Sequence, residues 1–120
     1  MYFEFNKWLD SLCDENGSFP GKAINFNLYE GENDFWYIQM ISVPYYDEEN
    51  DDWCCDELFS SGYNEFKWQH KCNWEEAQNE AEQLIKHYLD NGNNKDLLMN
   101  YDAITVGFVD GDLTLIYKKF

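Results

Sequence analysis

The chain has 120 residues, of which 24 are acids and 8 are lysines with no arginine, giving a formal net charge of −16 at pH 7. With 44% hydrophobic and 19% aromatic residues it is far too apolar for a disordered acidic tail, so the charge belongs to a folded surface. That sign repels DNA and RNA, and without an Arg fork the chain lacks the side chain best suited to clamping phosphate.

A chain of this length reads as a single domain, residues 1–120, able to bury about two-thirds of its unfolded surface. Its first residues, Met1-Tyr2-Phe3-Glu4, place an acid where a secretion signal needs positive charge, and no run is long enough to span a membrane. A cytoplasmic location is therefore expected, with Cys13, Cys54, Cys55 and Cys72 as reduced thiols.

Along the chain, Phe5, Trp8, Leu9 and Leu12 recur at helical spacing and predict a helix over 2–14, stopped by Asn16-Gly17. From Ala23 the period becomes two. Ile24, Phe26 and Leu28 share one face of a strand, Gly31 to Asp34 turn the chain, and Phe35 to Val43 form a second strand that is apolar on both faces. A three-residue loop sets Leu28, Phe26 and Ile24 opposite Trp36, Ile38 and Met40. Pro44 ends that strand, an acidic segment follows, and the chain rejoins the sheet between Trp53 and Phe59. Phe66, Trp68 and His70 alternate with Lys67, Gln69 and Lys71 as a fourth strand.

Asn73 caps the next helix, with Glu76 three residues on; Ala77, Ala81, Leu84, Ile85, Tyr88 and Leu89 form its apolar stripe and Asn91-Gly92 its stop. A short helical turn is expected over Asp96 to Asn100. Asp110-Gly111 reads as a two-residue hairpin turn pairing Phe108 with Leu113, Val106 with Leu115 and Ile104 with Tyr117. The predicted order is α-β-β-β-β-α-β-β, an α+β domain in which an antiparallel sheet of about six strands packs against two main helices.

The charge is regional. Between Ala23 and Phe66 lie eleven acids and no Lys, Arg or His. The densest part, Tyr45, Tyr46, Asp47, Glu48, Glu49, Asp51, Asp52, Trp53, Asp56 and Glu57, joins carboxylates to aromatic rings. Carboxylates steer a basic partner and rings anchor it, so these ten residues are the candidate partner-binding set.

Other chemistry fits less well. Asp47, Glu49 and Asp51 echo the start of a calcium loop, but Asp52 stands where the turn glycine belongs and Leu58 where the bidentate Glu belongs. His70, Cys72 and His87 offer zinc donors without a repeated C-x-x-C pattern, which favours a core histidine and ordinary thiols over a metal site. Glu30 with Glu57 is one imaginable acid/base pair, yet no nucleophile motif accompanies it. Neither catalysis nor a cofactor is expected.

The acidic window from Glu30 to Glu57, followed by the helix and hairpin from Trp74 to Tyr117 with Val106-Gly107-Phe108-Val109-Asp110-Gly111-Asp112 at its centre, resembles the small acidic immunity proteins of bacterial toxin–immunity systems, including contact-dependent growth inhibition. The resemblance implies a cytoplasmic protein that binds and neutralises a cognate, basic toxin domain. It carries over no individual residue by position. A nucleic-acid mimic that occupies a DNA- or RNA-binding protein is the alternative, and it requires carboxylates spaced in extended rows like phosphates.

Overall fold

The computed structural model describes residues 1–49, 56–109 and 111–120. Three helices, α1 (Tyr2–Asn16), α2 (Trp74–Asn91) and α3 (Lys95–Leu98), accompany six strands, β1 (Ala23–Glu30), β2 (Phe35–Val43), β3 (Phe59–Ser60), β4 (Phe66–Gln69), β5 (Ala103–Phe108) and β6 (Thr114–Lys118). The class is α+β, as the periodicities predict. The sheet runs β3-β2-β1-β5-β6, with β4 pairing with β2 beyond the short β3.

Period-two alternation gives this sheet two chemically different faces. On the front, Ile24, Phe26 and Leu28 of β1, Trp36, Ile38 and Met40 of β2, Phe66 and Trp68 of β4, and Ile104 and Val106 of β5 join one core. Phe5, Leu9 and Leu12 of α1 and the stripe Ala77, Ala81, Leu84, Ile85, Tyr88 and Leu89 of α2 close it. Asn73 caps α2 as its sequence indicates, its Oδ1 accepting from the Glu76 amide at 2.8 Å. The Tyr88 hydroxyl donates to Asp10 Oδ1, which ties the two helices together.

Three registers depart from the sequence reading. In the β1–β2 hairpin Leu28 pairs with Ile38, Phe26 with Met40 and Ile24 with Ser42, a displacement of two residues from the expected pairs. An even displacement keeps every side chain on its face, so the core is unchanged. The turn is taken by Asn33 and Asp34 at φ 57° and 64°, a left-handed conformation these side chains tolerate.

The sheet, expected to be antiparallel throughout, is mixed: β5 lies parallel to β1, with Ala23 beside Ala103 and Phe26 beside Val106. The chain reaches that position through the α2 crossover, which brings the start of β5 back beside the start of β1, where the Asp102 amide donates to Lys22 O at 2.7 Å.

In the β5–β6 hairpin Ile104 does pair with Tyr117, but a bulge after it sets Thr105 against Leu115 and Val106 against Thr114. Leu113 thereby leaves the expected position opposite Phe108 and packs on the back face with Ala23, Ile41 and Val43. Gly107 permits this: a Cβ there would meet Asp112 O at 2.7 Å and Leu113 Cδ2 at 3.0 Å. Gly111, by contrast, has room for a Cβ, whose near neighbours would be Phe108 atoms at 3.7 Å. Asp110 lies outside the described residues.

Candidate binding surface

The back face is where the acidic segment and the sheet meet. Asn25, Asn27 and Tyr29 of β1 alternate with the core residues, opposite Ile41, Gln39 and Tyr37 of β2 and beside Thr105 and Gly107 of β5. Their polar groups bond in a chain across three strands. Thr105 Oγ1 donates to Asn25 Oδ1 at 2.8 Å, Asn25 Nδ2 donates to Asn27 Oδ1 at 2.6 Å, and Asn27 Nδ2 donates to Gln39 Oε1 at 3.3 Å. Tyr29 OH donates to the same Gln39 oxygen at 3.1 Å, and Gln39 Nε2 donates to Gly62 O at 3.2 Å. Asn25 and Thr105 are buried, which they can be only because these bonds satisfy them. Toward Tyr29, Tyr37 and Gln39 the row becomes half-exposed.

The acidic segment is laid across one end of this face. Tyr46 is half-buried against the cluster of Ala23, Ile41 and Val43, and Glu48 forms an ion pair with Lys118 at the end of β6. Between these two contacts the chain crosses the sheet from β2 towards its far edge. Asp47 Oδ1 accepts from the Glu49 amide at 2.9 Å, a local turn that holds Glu48 and Glu49 in solvent.

On the returning side Asp56 and Glu57 are exposed, and the Leu58 amide donates to Ser42 O at 2.8 Å as the chain enters β3. Glu57 and Glu65 lie close enough to act on Tyr29, whose hydroxyl has a raised pKa through burial first and through these two carboxylates second. Glu57 and Glu65 thus border the tyrosine row.

Of the candidate partner-binding residues, Tyr45, Glu48, Glu49, Asp56 and Glu57 are exposed, Tyr46 and Asp47 are half-buried, and Asp51, Asp52 and Trp53 lie outside the described residues. Tyr45 keeps 47% of its surface and Leu58 keeps 50%, so both offer apolar contact among acids. Tyr63, fully exposed in the turn whose Gly62 carbonyl receives Gln39, extends the surface in a way the linear cluster does not reveal. Trp36, another ring in the acidic window, is 3% exposed and belongs to the core.

Glu30 and Glu57 occupy different surroundings. Glu30 lines a groove of about 600 Å³ with Trp74, Phe108 and Asp112 between α2 and the β5–β6 turn, whereas Glu57 is the neighbour of Tyr29. The sequence reading of His70 as a core histidine is not met, because its side chain is 46% exposed and Nδ1 lies 2.7 Å from Glu80 Oε1. That hydrogen bond raises the imidazole pKa above its ordinary value. His87 stacks on Tyr2 with ring centroids 4.1 Å apart.

Among the described residues no helix is long and apolar enough to cross a membrane. No family model, curated protein or solved structure matches this chain.

Proposed function

We propose that this chain is an immunity protein that neutralises a cognate, basic toxin domain through the acidic edge of its sheet's back face. The supporting observation is the anchored acidic segment: Tyr46 packs on the sheet and Glu48 reaches Lys118, while Tyr45, Glu49, Asp56 and Glu57 stay in solvent and Glu57 lies near Tyr29. A charged segment fastened at these points loses less conformational freedom on association than a free one would. The carboxylates raise the encounter rate with a cation-rich surface, and Tyr45 and Leu58 supply apolar contact once docked. In the cytoplasm of the producing cell such a complex holds the toxin inactive.

Glu48 reaches Lys118 and Glu57 lies near Tyr29, and the concentration of eleven acids within residues 23–66 favours a docking patch over the phosphate-like rows of a nucleic-acid mimic. The test is co-expression in a sensitive bacterium with the toxic domain encoded beside this chain. Growth should be restored by the wild-type protein and lost again when Tyr45, Glu49, Asp56 and Glu57 are replaced together by Ala, Gln, Asn and Gln. Undiminished protection by a folded quadruple variant would place the binding face elsewhere.

A further inference from the structure

Away from the acidic segment, the connection that follows β4 and the second turn of α2 bring three different donors together. Glu80 Oε1 is 2.7 Å from His70 Nδ1 and 3.9 Å from Cys72 Sγ, and donor atoms of all three residues lie within 4.8 Å of one another. Separate constraints hold His70 and Glu80. His70 O accepts from Trp36 Nε1 at 2.9 Å and His70 N donates to Asp34 O at 2.9 Å, while Glu80 rides on a capped helix between the buried Ala77 and Ala81. His70 and Glu80 are thus each fixed by a packed element, while Cys72 lies in the four-residue connection from β4 to α2.

We propose that His70, Cys72 and Glu80 form a zinc-binding site with three protein ligands and one position open to water. The donor set selects the ion class: imidazole, thiolate and carboxylate suit zinc, whereas calcium and magnesium require oxygen ligands alone. The spacing is also right. Donors bonded to a tetrahedral zinc stand roughly 3.3–3.8 Å apart, so the 3.9 Å contact needs almost no movement. Side-chain rotation brings in the rest, and the ion takes the place of the hydrogen bond between His70 and Glu80. Exposure of 46% for the His70 side chain and 27% for that of Glu80 leaves an entry path and the fourth position. Glu76 and Asp34 add negative charge around Cys72, which favours a divalent cation there. Binding would replace the hydrogen bond between His70 of the β4–α2 connection and Glu80 of α2 by a shared ion.

The experiment uses the full chain with Cys54 and Cys55 replaced by Ser, so that a thiolate signal comes from Cys72 or from the buried Cys13. Titration with Co²⁺ should give tetrahedral visible bands and a thiolate-to-cobalt charge-transfer band, saturating at one ion per chain and erased by zinc. His70→Gln, Cys72→Ser and Glu80→Gln should each weaken zinc binding by more than about tenfold, since even residues that merely support a ligand are worth that much. Circular dichroism checks that each variant is folded. A missing charge-transfer band, or a band and zinc affinity that survive Cys72→Ser, would overturn the site and leave only diffuse attraction to the acidic surface.

Discussion

The two faces of one sheet make the instructive comparison in this molecule, because the same strands supply both. Residues 24, 26 and 28 of β1 point into a helix-covered core of aliphatic and aromatic side chains, while residues 25, 27 and 29 begin a hydrogen-bonded row of amides and a tyrosine. The front is closed by α1 and α2, whose apolar stripes supply the burial that stabilises the fold. The back is closed at one end by an acidic segment and by Leu113, and its exposed portion carries tyrosines with carboxylates beside them. A face held by polar bonds and a loop contributes less to stability per residue, and it can present charge that a packed core cannot.

The comparison breaks most sharply at Gly21, which joins the α1 connection to the edge of both faces. It has φ +93°, and a Cβ would lie 2.2 Å from Val43 O, the carbonyl that receives the Lys22 amide at 2.9 Å. Gly21→Val should destabilise by roughly 3 kcal/mol or more, through left-handed strain and a clash with backbone, as measured by chemical denaturation. A nearly unchanged midpoint would mean that the connection is free to move.

Front and back are then compared directly at neighbouring positions. Phe26 is fully buried, and Phe26→Ala should cost about 3–5 kcal/mol through lost burial and the cavity left behind. Thr105→Val preserves shape on the back face but removes the hydroxyl that donates to Asn25 Oδ1. It should cost about 1–3 kcal/mol by leaving a buried acceptor unpaired. If the two changes proved equally damaging, the back face would be as much a part of the stabilising core as the front.

Much of the front face was legible from local spacing alone. The stripe of α2 repeats over 18 residues, and the residues named from its spacing are the ones buried. Parity in β1 and β2 survived a register displaced by two because face assignment depends only on odd or even position. The parallel pairing of β5 with β1 was not legible, since nothing local in residues 23–30 identifies a partner 80 positions away. Gly107 was a readable signal of a close backbone approach, and it marks the place where Leu113 crosses to the back. Asn25 stands on the strand face opposite Ile24, Phe26 and Leu28, and nothing local marks it as buried; its burial is satisfied by Thr105, 80 positions away. The acidic segment was visible as composition, but its fastening through Tyr46 and Lys118 is tertiary. Likewise His70 and Cys72 stand close in sequence, and Glu80 joins them only once α2 has docked.

The smallest effects on stability belong to the exposed acidic edge, and there the kinetic consequences separate rings from charges. Tyr45→Ala should leave stability within about 0.5 kcal/mol of wild type, since the ring is half in solvent, yet a loss of about 2 kcal/mol in affinity, expressed in the off-rate, is expected if it is an interface anchor. Replacing Asp47, Glu48, Glu49, Asp51, Asp52, Asp56 and Glu57 by Asn or Gln should act on the other rate. The exposed pair of Glu48 with Lys118 is lost, but exposed pairs contribute little, and relief of self-repulsion in a chain of net charge −16 opposes that loss. The folded state should therefore hold or gain slightly. Steering acts over roughly the Debye length, about 8 Å at physiological ionic strength, so wild-type association with the toxin domain should slow steeply as salt is added, while the neutralised variant associates slowly at every salt concentration. Stopped-flow kinetics at several ionic strengths provides the measurement. Salt-indifferent association by the wild type, with the neutralised variant equally fast, would show that the charge serves solubility and that the binding face lies elsewhere.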